Sequence, residues 1–124
     1  MDNGQLKMRK NVVKDKSFDF ALIVVNTYKM LVHKKREYIL SKQFLRSGTA
    51  IGALIREAEQ AESKADFIHK LSISLKEANE THYWIELLHQ SAYLNNELHL
   101  KLIAQADELI KLLTAIIKTT KNRK

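Results

Sequence analysis

Apolar residues recur along this chain with the 3.6-residue period of an α-helix in four successive segments, and no proline interrupts them. No alternating apolar–polar pattern competes, so strands are not expected. An amphipathic helix must bury its apolar stripe against another element. Only a few residues join the segments, which favours antiparallel neighbours. The expected fold is all-α: an antiparallel, up-down-up-down four-helix bundle.

The first helix is expected from about Ser17 to Lys34, with Asp15 or Ser17 as its cap. Phe18, Ala21, Leu22, Val25, Tyr28 and Val32 form its main stripe. Phe20, Ile23, Val24, Met30 and Leu31 widen the apolar surface beyond it. A helix apolar on most of its circumference is buried on more than one side, and in a small chain the second side suggests a subunit interface. The second helix is expected from Tyr38 or Ser41 to Ala61, the third from Lys64 to Tyr93, and the fourth from Asn96 to Lys118. "SKAD" (Ser63–Asp66) reads as a capping box that starts the third helix, with Trp84 on that helix's second apolar stripe. Residues 1–14 read as a basic flexible arm, 15–118 as the bundle and 119–124 as a basic tail.

Two of the three glycines, Gly48 and Gly52, sit four residues apart inside the second helix. Each weakens a helix interior by about 1 kcal/mol against alanine, so something must offset them. A phosphate-binding loop needs a different spacing, a following lysine and a preceding strand. A membrane dimerisation motif needs an apolar helix, whereas Arg46 and Arg56 flank this pair. Close backbone approach to another helix remains, within the protomer or between protomers.

At 124 residues the chain is long enough for one domain with a core of its own. It has no cysteine, hence no disulfide, no thiolate metal site and no cysteine nucleophile. It has no apolar run of membrane-spanning length and no secretory h-region, so a cytoplasmic location without membrane contact is the expectation. The net charge of +7 is uneven: residues 1–56 carry +8, residues 57–97 carry −5 and residues 98–124 carry +4. Such basicity favours a polyanionic partner.

Three basic clusters result. One is the arm, with Lys7, Arg9, Lys10, Lys14 and Lys16; a second is the tail, with Lys118, Lys121, Arg123 and Lys124. The third is "HKKR" (His33–Arg36) between the first two helices, followed by Lys42 and Arg46. Bundle topology puts arm and tail beside the acidic turn Glu57–Asp66. The His33–Arg36 turn lies at the other end with only Glu37 close by, so it is the cleaner electrostatic candidate. Contacts to phosphates of this kind are sequence-independent.

Catalytic and metal chemistry have little footing. "ELLH" (Glu86–His89) and "DFIH" (Asp66–His69) resemble halves of a di-iron site, but both fall on one helix and lack carboxylates from the others. His82 and His89 read as partly buried and hydrogen-bonded, or as lying at a subunit interface. The carboxylates Glu57, Glu59, Glu62, Glu77 and Glu80 read as ion-pair partners of Arg56, Lys70 and Lys76. No arginine is followed by a histidine at the four-to-six-residue spacing common in small helical ribonucleases. No catalytic residue, metal or cofactor is expected.

The blocks "LSKQFLRSGTAIGALIREAEQAESKADFIHKL" (Leu40–Leu71) and "SLKEANETHYWIELL" (Ser74–Leu88) resemble a bacterial family of small four-helix-bundle proteins. Its members are encoded by intervening sequences within 23S rRNA genes, and the accessory variability protein of diversity-generating retroelements is related to them. The resemblance implies a homo-oligomer, with a ring of five favoured, and no established catalytic activity. Its retroelement branch implies a reverse-transcriptase and nucleic-acid partnership; its other branch implies a ribosomal connection. The combined expectation is a non-enzymatic basic oligomer that binds nucleic acid through Lys34, Lys35, Arg36, Lys42 and Arg46, with the arm and tail cations second. Gly48, Gly52, Phe20, Val24 and Trp84 are the expected helix-packing or oligomer residues. The alternatives are a purely protein-binding oligomer with incidental charge, and a metal-independent nuclease.

Overall fold

Four α-helices account for nearly all of the residues described, 3–123, in the computed structural model: α1 (Asn3–His33), α2 (Leu40–Ala58), α3 (Lys64–Gln90) and α4 (Asn96–Lys121). They close a ring of contacts, α1 on α2, α2 on α3, α3 on α4 and α4 back on α1. Partners along each seam run in opposite directions. Lys14 meets Glu59 while Gly48 faces Val24. Arg46 meets Glu77 while Lys70 meets Glu57. His82 meets Asp107 while His99 meets Glu86. Lys16 meets Glu108 while Asn3 meets Arg123. All four seams are antiparallel, as the short connections require.

The main departure from the sequence reading is α1. Residues 3–14 are not a loose arm but the first three turns of a helix that begins at Asn3. The cause is visible in the spacing. Leu6 and Val13 precede Phe20 by two heptads and one, and both are buried on the face that carries Ser17, Phe20, Val24, Thr27 and Leu31. This inward face is also not the stripe expected. Phe18 and Leu22 of that stripe are each 50% exposed, whereas Ser17 and Thr27 are buried. Hydrophobicity alone selects the wrong side because the close α1–α2 approach needs small residues. Ser17 lies against Gly52, and its hydroxyl donates to the Lys14 carbonyl at 2.8 Å.

Helix ends follow local chemistry. Ser63 Oγ accepts from the Asp66 N–H at 3.0 Å, and Asn95 Oδ1 accepts from the Leu98 N–H at 2.8 Å. α2 stops at Ala58 and α3 at Gln90, each three residues before the limit expected. α3 turns off through Ala92 at φ 68, where the Tyr93 N–H reaches back to the Leu88 carbonyl at 2.9 Å. α4 continues to Lys121 with Thr120 buried, so the expected tail is helical through that residue. No helix among the described residues is long and apolar enough to cross a membrane.

Candidate nucleic-acid interface

The α1–α2 loop, residues 34–39, is built by two opposed helix ends. α1 terminates through Arg36 at φ 55, and the Glu37 N–H donates back to the Leu31 carbonyl at 2.9 Å. This left-handed position normally takes glycine, and an L side chain there costs about 1–2 kcal/mol. The expensive conformation presents an arginine at the tip of the loop. Arg36→Gly is therefore expected to raise thermal stability while weakening polyanion binding. Ala92→Gly, at the equivalent turn after α3, is expected to raise stability alone; paired melting curves and binding isotherms check both.

Glu37 then starts α2. Its Oε1 accepts from the Ile39 and Leu40 N–H groups at 3.1 and 2.9 Å, and its Oε2 accepts from the Ser41 N–H at 2.6 Å. The Ser41 hydroxyl closes the loop by donating to the Glu37 carbonyl at 2.7 Å. Glu37 is buried. Burial pushes its carboxyl up, but the hydrogen-bond donors outweigh this and hold it below the usual carboxylate range. The loop's one acidic side chain thus turns inward to the helix N-terminus, where it complements the macrodipole.

Around it, Lys34, Lys35, Arg36 and Lys42 are exposed, and none of them pairs with an acidic side chain among the described residues. Arg46, expected to extend this cluster, is committed elsewhere. Its guanidinium spans Glu77, at 2.9 Å, and Glu80, and Glu80 also accepts from Trp84 Nε1–H at 3.0 Å. Arg46 joins α2 to α3, because its position one turn beyond Lys42 faces the acidic flank of α3. The loop carries one further feature that charge counting missed. Tyr38 and Ile39 stand 51% and 77% exposed between Arg36 and Lys42. The signal available in the sequence was an aromatic–aliphatic pair in a connection too short to bury it.

At the opposite end the cations are more engaged. Lys14 pairs with Glu59 at 3.1 Å, Lys16 pairs with Glu108 at 3.1 Å, and Lys10 sits 4.5 Å from the centre of the Phe67 ring. Arg123 donates to Asn3 Oδ1, and its carbonyl accepts from Lys64. Lys7, Arg9, Lys118 and Lys121 pair with no acidic side chain among the described residues. They lie on separate helices, α1 and α4, and do not form one short run. Lys124 lies outside the described residues.

The expected packing residues divide. Gly48 and Gly52 lie on the α1–α2 seam: a Cβ on Gly48 would stand 2.8 Å from Val24 Cγ1, and one on Gly52 would stand 3.1 Å from Ser17 Oγ. Phe20 and Val24 are wholly buried inside the protomer, so neither is a surface available to a second subunit. Trp84 is half-buried beside Tyr83, with ring centres 5.0 Å apart. The large exposed apolar side chains on helices, among the described residues, are instead Met8, Phe18, Leu22, Tyr83 and Leu100.

Three of the five histidines, His82, His89 and His99, gather on the α3–α4 seam. His99 Nε2 lies 2.6 Å from Glu86 Oε1, and this hydrogen bond holds Glu86 below the usual carboxylate range. His89 stacks on His99 with ring centres 3.7 Å apart, and its Nε2 lies 2.8 Å from Asn96 Oδ1. Its Nδ1 is buried without a hydrogen-bond partner. His82 Nε2 lies 3.3 Å from Asp107 Oδ1. Among the described residues, no group of three or more histidine or acidic side chains converges as a metal site.

Comparison with known proteins places this architecture. Among curated proteins, no sequence matches the chain significantly. A solved structure from Bacteroides thetaiotaomicron, described as a protein of unknown function from the S23 ribosomal protein family, is 57% identical. It superposes with a TM-score of 0.88, covering 89% of this chain and 98% of that one. The family of 23S rRNA-intervening sequence proteins matches residues 9–115. With a match over most of its length and the four-helix architecture to go with it, this chain belongs to the 23S rRNA-intervening sequence protein family.

Proposed function

We propose that the protein is a non-catalytic, basic, self-associating scaffold that binds nucleic acid through backbone phosphates at the α1–α2 end of the bundle. One observation carries the reading. Lys34, Lys35, Arg36 and Lys42 are exposed and unpaired, while the loop's one carboxylate, Glu37, is turned into the α2 N-terminus. Lysine and arginine that neutralise phosphates release counterions, which gives affinity without sequence preference. The family's description refers to 23S rRNA, which makes ribosomal RNA the natural first probe.

Self-association is supported by the outer face of α1. Phe18 and Leu22, one helical turn apart, remain half-exposed opposite the core-facing stripe. Burying such a patch between copies would repeat the basic loop once per subunit, and repeated sites on one polyanion bind with avidity. A ring of five is one closed arrangement that does this.

The test is charge reversal at Lys34, Lys35 and Arg36 together. Affinity for a fluorescently labelled RNA or DNA oligonucleotide at about 50 mM salt should fall at least about tenfold, with the melting temperature unchanged. Binding that persists at wild-type strength would overturn the reading and leave a purely protein-binding oligomer as the alternative.

A further inference from the structure

The α1–α2 loop displays more than charge. Tyr38 is half-exposed and Ile39 is more than three-quarters exposed, although both are large apolar side chains in a connection of six residues. The backbone around them is not loose. Three N–H groups, those of Ile39, Leu40 and Ser41, are fixed on the Glu37 carboxylate, and the Ser41 hydroxyl bonds the Glu37 carbonyl. The two side chains are therefore carried outward on a rigid turn. Three cations precede them and one follows: Lys34, Lys35 and Arg36, then Lys42. Arg36 occupies its place at a conformational cost, with φ 55 where glycine would be relaxed.

A continuous duplex offers such a loop only phosphates, because its bases are stacked on one another. An unpaired strand offers phosphates and free base faces together. Aromatic rings set in a cationic surface are how non-specific single-strand binders hold successive bases. Building on the function proposed above, we propose that this loop prefers single-stranded nucleic acid, with Tyr38 as the stacking platform, Ile39 as its apolar flank and Lys34, Lys35, Arg36 and Lys42 as phosphate clamps. The ligand class is an unpaired RNA or DNA segment, such as a loop or a strand end, and not a regular helix.

The experiment compares an unstructured labelled RNA oligonucleotide with a duplex of equal length. Anisotropy titrations at about 50 mM salt are run on the full chain, Tyr38→Ala, Tyr38→Phe and the Lys34/Lys35/Arg36 charge reversal. Tyr38→Ala should weaken single-strand binding by about tenfold and duplex binding by less than about twofold, while Tyr38→Phe keeps the stacking face and the affinity. The salt slope of Tyr38→Ala should match wild type, because stacking releases no counterions, whereas charge reversal should flatten it. Single-strand affinity unchanged in Tyr38→Ala, or an equal loss for strand and duplex, overturns the stacking proposal while charge reversal still tests the phosphate reading separately. If the wild-type chain binds neither polymer, both readings fail, and Tyr38 and Ile39 are then a contact for protein.

Discussion

Gly48→Leu is expected to lower the stability of the bundle by about 3 kcal/mol or more, through overpacking that the site cannot relieve. Even a Cβ at this position would stand 2.8 and 2.9 Å from the two γ-methyl groups of Val24. Val24 cannot move aside, because it is wholly buried and its β-branched side chain has one preferred rotamer in a helix. Gly48→Ala should therefore destabilise as well, by about 1–2 kcal/mol, although alanine is the better helix former by about 1 kcal/mol. A double-mutant cycle with Val24→Ala isolates the contact: the paired variant should recover much of what Gly48→Ala loses. Gly52→Ala should be milder, since Ser17 Oγ stands at 3.1 Å and only a few tenths of an ångström are needed. Denaturant melts of the five variants check the order. Equal stability for Gly48→Leu and wild type would remove close packing as the reason for the glycine pair.

The second large effect is expected at Glu37. Glu37→Ala removes the acceptor of three backbone N–H groups at the start of α2 and should cost about 2 kcal/mol. Glu37→Gln keeps one acceptor oxygen without the charge and should cost less. The acid dependence has a definite sign. Because the folded carboxyl is held below its ordinary range, its stabilising contribution is complete above the unfolded value. It is lost as pH falls from there through the folded value. Stability measured from pH 6 down to about pH 3 should therefore fall more steeply for wild type than for Glu37→Ala. Parallel slopes in the two proteins would show that Glu37 is not the group responsible.

The glycine pair was legible in the sequence because glycines four residues apart have few uses inside a helix flanked by charged residues such as Arg46 and Arg56. The four helices were legible too, since their apolar periodicity is strong and their connections are short. The face of α1 was not. A scale of hydrophobicity favours Phe18 and Leu22 over Ser17 and Thr27, but the core selected residues by size where α1 crosses Gly52. The first three turns of α1 were missed for a related reason. Leu6 and Val13 are sparse among polar neighbours, and only the heptad register of Phe20 shows that they continue its face. In the candidate site, Lys34, Lys35 and Arg36 could be read from their run of charge. Arg46 could not be sorted from them, because its carboxylate partners Glu77 and Glu80 lie more than 30 residues away in sequence. The exposure of Tyr38 depends on how Glu37 folds the loop, which no local propensity states.

Phosphate recognition by the loop is tested most directly by the salt dependence of binding. Affinity of the full chain for a short single-stranded oligonucleotide is measured across about 50–200 mM monovalent salt. Lys34, Lys35, Arg36 and Lys42 engaging four phosphates give a slope of log affinity against log salt of about −2.8. A slope near that value, reduced towards zero by charge reversal at Lys34, Lys35 and Arg36, is the expected result. A slope indistinguishable from zero in the wild-type protein would contradict it.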